Sequence, residues 1–156
     1  MSGGHQLAQV NIAFAREPLD APLLADFVAA LGPVNGRADE AAGFVWRMQT
    51  DDGDATGVRG FGGDPRLVMN LTVWESIDAL RAFVYDDPIH LGVMRRRREW
   101  FARLDLHTAL WWVPAGHRPS VAEAEDRLRQ LGEEGPTSTA FSFVRDFASP
   151  EDGLEA

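Results

Sequence analysis

The chain has 156 residues and a formal charge of −9; its fifteen basic residues are all arginine, and cysteine is absent. These absences exclude a Schiff-base lysine, a phosphate-loop lysine, a thiolate nucleophile, a disulfide and a cysteine-held metal, and the negative charge opposes nucleic acid, whose binding rests on neutralising phosphates. An apolar content of 45% with no apolar run near the ~20 residues of a bilayer span describes a globular domain, and the start, lacking a charged segment before an apolar one, makes the cytoplasm the expected compartment with no membrane partner.

Residues 5 to 15 alternate with period two, Ala8, Val10, Ile12 and Phe14 on one face and Leu7, Gln9, Asn11 and Ala13 on the other, as a strand does. Asp20 and Pro22 signal a helix whose stripe is Leu23, Leu24, Phe27, Val28 and Leu31, closed by Gly32-Pro33. A weaker helical turn follows over 38 to 42. Residues 43 to 49 read as a second strand. The Gly- and Asp-rich stretch from 50 to 65 follows no strand and opens no helix, so it is no dinucleotide loop. It also lacks the spacing of a calcium loop. It is expected to be a connection, with a lid over a site as the alternative. Residues 66 to 74 form a third strand, with Asn70, Thr72 and Trp74 on one face.

Ser76 is placed to cap a helix through Tyr85, with Leu80, Phe83 and Val84 inward. Asp87-Pro88 restarts the chain as N-cap and first helical residue of a helix to about Leu104. Residues 107 to 113 form a fourth strand, and Ser120-x-x-Glu123 is a capping box for a helix ending at Leu131-Gly132. Phe141 to Phe143 adds a short edge strand. One domain over 1–147 and a disordered tail over 148–156 are expected.

This order is strand, helix, strand, strand, helix pair, strand. It predicts an α+β fold, a ferredoxin-like split βαβ with a four-stranded antiparallel sheet, plus a C-terminal helix and short strand. Helices on one side leave the other sheet face bare, and that face is expected to carry Asn11, Asn70, Thr72 and Trp74 among apolar neighbours. A mixed face needs a cover. A second copy packing sheet to sheet supplies one and encloses a cavity, so a homodimer is expected.

The segment LTVWESIDALRAFVYDDPIHLG, with that strand order, resembles the dimeric α+β-barrel superfamily of antibiotic-biosynthesis monooxygenases, haem-degrading monooxygenases and polyketide cyclases. Over residues 5 to 145, through GFVWRMQ, NLTVWES, RRREWF, LWWVPAGH and GPTSTAF, the chain resembles an uncharacterised bacterial family within it. Olivetolic-acid-type cyclases carry a base histidine in a Pro-x-His-x-Gly turn, which Pro88-Ile89-His90-Leu91-Gly92 matches; their tyrosine position falls on Phe83, and Tyr85 points about 200° away on a helix. The haem-degrading members imply an asparagine at Asn11, but their tryptophan and histidine positions fall on Phe83 and Val93. Haem is therefore not expected, and no other cofactor is called for.

His90 is the catalytic candidate. At the third helical position the macrodipole disfavours the imidazolium, while Asp86 and Asp87 push the other way. Asn11, Asn70, Trp74, Phe83, Tyr85 and Trp112 are the substrate-binding candidates. Trp46, Trp100, Trp111 and Trp112 read as core and dimer interface, with one of the adjacent Trp111 and Trp112 able to line the cavity, Arg95 to Arg98 spread around a helix, and no His, Asp and Glu set has metal spacing. The reading is an enzyme on a small hydrophobic bacterial metabolite, a natural-product cyclase or isomerase using His90 as acid and base. A cofactor-free monooxygenase of an aromatic substrate and a non-catalytic binding or stress-associated barrel are the alternatives.

Overall fold

The structure, a computed structural model, describes residues 4–18, 20–48, 66–102 and 107–150. The expected strand 5 to 15 is β1 (His5–Ala15), followed by a single 3-10 turn at Pro22–Leu24 and α1 (Ala25–Glu40). Then come β2 (Phe44–Arg47), β3 (Leu67–Trp74), α2 (Ile77–Asp86) and α3 (Pro88–Arg95). The chain ends with α4 (Arg97–Trp100), β4 (Phe101–Ala102), β5 (Thr108–Pro114) and α5 (Val121–Glu134). All strand pairs are antiparallel: β2 lies beside β3, β3 beside β1, and the far edge of β1 carries β5 along His5–Asn11 and β4 at Phe14–Ala15. This is the ferredoxin-like α+β arrangement, with the two-residue β4 as a fifth strand. No helix among the described residues is long and apolar enough to cross a membrane.

Three of the cap signals hold, while Asp20 does not cap: the first turn starts after Ala21 with no side-chain bond. Ser76 accepts from the Ala79 amide at 3.0 Å, Asp87 accepts from Ile89 and His90, and Ser120 accepts from Glu123 at 3.1 Å. Three boundaries move. Gly32-Pro33 does not end α1, which runs through Pro33 to Glu40. Proline removes one helical bond, but Phe27 and Leu31 before it and Ala38 after it all pack, and tertiary burial outweighs the local stop. The helix expected to reach Leu104 breaks at Arg96, and its remainder is α4 followed by β4, because Trp100 turns inward against Phe27 at 5.5 Å. The helix expected to end at Leu131-Gly132 runs on through Glu134. There Gly135, at φ +74, takes the left-handed conformation that only glycine adopts without strain. The edge strand at Phe141 to Phe143 reduces to one bridge, Phe141 to Leu110. The 50-to-65 connection and the tail beyond Pro150 lie outside the described residues.

The larger correction concerns the sheet faces. Residues opposite one another across an antiparallel pair share a face. The register sets Leu7 against Trp74 and Trp112, Gln9 against Thr72 and Leu110, and Asn11 against Asn70 and Thr108. That face is the helix-covered one: Leu7, Trp74 and Leu110 pack with Leu80 and Phe83 of α2, while Ala15 and Val68 pack with Phe27, Leu31, Val93 and Trp100. The opposite face, with Ala8, Val10, Leu71, Val73 and Trp111, is covered by Ala124, Leu128 and Leu131 of α5. Both faces are thus packed within one chain, and the argument for a second copy from a bare mixed face does not stand.

Candidate functional site

His90 occupies the third position of α3, and the chain holds it there by three local devices. Asp87 Oδ1 caps the first turn, accepting from the amides of Ile89 and His90 at 3.0 Å each. Pro88 at the first position suits the helix start but brings no N–H. The chain leaves α2 at Asp87, which is extended, and the carbonyl of Val84 in the last turn of α2 lies 3.0 Å from His90 Nδ1. A carbonyl only accepts, so Nδ1 must carry the proton and Nε2 keeps a lone pair. The neutral ring is thereby fixed in one tautomer.

Burial lowers the His90 pKa below its ordinary value, more than the Val84 bond and the Asp87 charge raise it. That sign was not obtainable from the sequence, where dipole and carboxylates opposed each other. Asp87 itself is held below the usual carboxylate range, first by the His90 amide and then by Arg37, against its own desolvation. A neutral imidazole with a free Nε2 is what a general base needs near pH 7.

Aromatic rings lead from the sheet to this group. Phe44 meets Trp74 edge-on at 5.3 Å, Trp74 lies 5.5 Å from Phe83, and Phe83 lies 5.1 Å from His90. Below them runs a buried polar chain. Trp74 Nε1 donates to Thr72 Oγ1 at 2.9 Å, and Thr72 Oγ1 donates to Gln9 Oε1 at 2.7 Å. The indole N–H only donates, so the threonine hydroxyl accepts from Trp74 while its own proton goes to the Gln9 carbonyl oxygen. Gln9 and Thr72 are each 8% exposed. Beyond them the Asn11 and Asn70 pair continues the polar band, so two apolar clusters on this face are separated by amides and a hydroxyl.

The structure brings His90, Phe83 and Trp74 together and leaves other candidates apart. Trp74 is 1% exposed with its N–H committed to Thr72, so it backs Phe83 and offers no free polar contact. Tyr85 is 56% exposed and packs on Phe143 at 5.8 Å, turned away from Phe83 as its helical position predicts. Trp112 donates from Nε1 to the Phe147 carbonyl at 2.9 Å, under the C-terminal segment. Asn11 is half-buried and Asn70 exposed. An open cleft of ≈ 390 Å³ lies between the end of α1 and the α2–α3 corner, lined by Arg37, Ala41, Ala79, Phe83, Asp86 and Asp87 among others. It is not the cavity expected to be enclosed by a second copy, and His90, Asn11 and Asn70 are not among the residues that line it.

The remaining candidates resolve into structural contacts. Arg96 bonds Asp26 and Glu99 and lies 4.8 Å over Trp100, while Arg97 bonds the Met94 carbonyl. His117 bonds Glu123, whose other oxygen accepts from Trp111. Among the described residues no group of three or more His, Asp or Glu is placed to hold a metal ion. Sequence reasoning missed Gln9 and Arg37. Gln9 had a signal, a polar residue directly opposite Thr72 once the two strands are aligned in register. Arg37 had none, since it lies beyond the proline taken as the helix end.

A family described as a domain of unknown function, DUF3291, matches residues 6–155. None of the curated proteins matches the sequence. Among solved structures, protein SO0527 from Shewanella oneidensis aligns at 14% identity and TM-score 0.49, over 71% of this chain and 91% of that one. PA3566 from Pseudomonas aeruginosa aligns at 12% identity and TM-score 0.49, over 75% and 99%. SnoaB from Streptomyces nogalater, a cofactor-independent oxygenase, aligns at 15% identity and TM-score 0.45, over 74% and 95%. At these values the likenesses transfer no chemistry to this chain.

Proposed function

The chain belongs to the DUF3291 family, and since that description names no activity we propose, from the chain's own residues, an acid/base enzyme acting on a small hydrophobic molecule. The reaction class is isomerisation or cyclisation of an enolisable carbonyl compound, with His90 as the group that moves the proton. One observation carries this reading: the Val84 carbonyl takes the Nδ1 proton of a ring that burial keeps neutral, which leaves Nε2 as a base.

The steps need only the substrate and this ring. Nε2 removes a proton from carbon next to a carbonyl, and the C–H electron pair moves into the enolate. In an isomerisation the imidazolium returns the proton to another carbon. In a cyclisation the enolate carbon bonds to a second carbonyl carbon, and the proton goes to the alkoxide so formed. Asp87 supports the imidazolium during its lifetime, because its charge favours protonation. Phe83 is the apolar wall, backed by Trp74, and the amides of Asn11 and Asn70, which do not line the cleft, are assigned to orient a substrate long enough to reach the polar band on the sheet. Tyr85 and Trp112 are assigned to the periphery. The reading invokes no cofactor.

A homodimer is part of the proposal, on the resemblance to two-subunit barrels alone; sedimentation equilibrium showing monomer at high concentration removes it. The oxygenase alternative rests on Asn11 facing Asn70 and has lost the indole N–H of Trp74 to Thr72. The deciding experiment is deuterium exchange into hydrophobic β-diketone probes. The wild-type protein accelerates exchange, and His90→Gln loses that acceleration while keeping its fold. Equal rates in the two proteins leave a binding barrel as the reading.

A further inference from the structure

We propose that Arg37 is a positioning residue for His90, acting through Asp87: its guanidinium holds the Asp87 carboxylate on the first turn of α3, and that turn sets the imidazole against Val84 and Phe83. This rests on the reading of His90 as the proton-moving group.

The two oxygens of Asp87 divide the work. Oδ1 takes both free amides of the helix start, from Ile89 and His90. Oδ2 takes Arg37, whose Nε and Nη2 each lie 2.9 Å away. The Asp87 side chain is 11% exposed and that of Arg37 is 47% exposed, so the carboxylate is shut in while its counter-charge reaches it from the surface. A capping aspartate alone is free to rotate about its side-chain bonds. A planar guanidinium on the second oxygen removes that freedom. The tie joins elements 50 residues apart, and it exists only because α1 continues through Pro33.

Electrostatics add a second consequence. The charged groups around this corner are Arg37 and Glu40 on α1, Asp86 at the end of α2 and Asp87 itself. From the sheet side the aromatic chain presents only the uncharged Trp74. Asp87 pulls the imidazole toward protonation, and Arg37 is the counter-charge of that carboxylate. Removing Arg37 leaves the carboxylate without that counter-charge, which favours the imidazolium.

The test is a ring-nitrogen NMR titration of His90 in the intact protein, with amide exchange at Ile89 and His90 measured alongside. In Arg37→Met the His90 midpoint moves up, and exchange protection at the two amides falls about tenfold, the scale of a weakened helix cap. Arg37→Lys returns the charge and brings the midpoint back toward wild type. An unchanged midpoint in Arg37→Met overturns the proposal, whatever happens to exchange; if that variant does not fold, Arg37→Gln is read by the same criterion. Failure of the underlying reading looks different. It appears in the wild-type protein as a neutral ring protonated on Nε2, with no reference to Arg37.

Discussion

The two faces of the sheet are both covered, and they are covered in different ways. Toward α5 the contact is apolar almost throughout, Ala8, Val10, Leu71, Val73 and Trp111 against Ala124, Leu128 and Leu131. Its polar link is the Trp111 indole on Glu123 at 2.8 Å. Toward α1, α2 and α3 the apolar surface is cut in two by Gln9, Thr72, Asn11 and Asn70. Of these Gln9 and Thr72 are buried; buried polar groups cost free energy unless bonded, and an apolar pair of the same shape there would fold at least as well. The face that gives up packing is also the face beside His90, whose Nδ1 is bonded to the Val84 carbonyl.

The comparison is broken most forcefully on the α5 face. Trp111→Ala removes a fully buried indole and is expected to cost about 3–5 kcal/mol in urea unfolding, while the His90 titration stays as in wild type. A cost below about 1 kcal/mol would mean that α5 does not close this face. On the other face, Thr72→Val keeps the shape but strands the Trp74 N–H and the Gln9 oxygen. Leaving such groups unpaired costs about 1–3 kcal/mol. A neutral Thr72→Val would show that water already serves both groups.

Both variants concern residues whose strands were legible from alternation alone. β1 begins and ends where the pattern says, and the three helix caps sit on the serines and the aspartate that the sequence offers. What alternation does not say is which face receives the helices. The pattern separates Leu7, Gln9 and Asn11 from Ala8, Val10 and Ile12, but both sets contain apolar residues, and only packing chooses between them. The proline at position 33 misled for a related reason, because the stop is local and the burial that overrides it is not. The histidine was legible because Asp87-Pro88 fixes its helical position. Its tautomer was not legible, because the ring turning back to Val84 is a matter of geometry.

A smaller effect separates the faces by pH. The folded protein holds His90 below its ordinary value, so between the two values it binds fewer protons than the unfolded chain. Stability is full above the ordinary histidine range and falls as pH drops from there through the lowered folded value. Asp87 is also held low, and its contribution is lost in a separate window further down, as pH falls below the ordinary carboxylate range. His90→Gln should flatten the upper window in urea titrations and leave the lower one. An unchanged upper slope would mean that the ring is not buried in solution.

The smallest effect is expected at Tyr85, which the sequence grouped with the site and the structure sets at the surface. Its ring touches Phe143 and stands 56% exposed. The indole of Trp74 and the ring of Phe83 lie between the sheet and His90, and Tyr85 takes no part in that chain of contacts. Tyr85→Ala should therefore change unfolding free energy by no more than about 0.5 kcal/mol and leave the His90 midpoint in place. Phe83→Ala, two residues away on the same helix, should raise that midpoint by admitting water to the ring. If the two variants behave alike, the division of α2 into a site-facing side and a solvent-facing side is wrong, and with it the assignment of Phe83 as the wall against the imidazole.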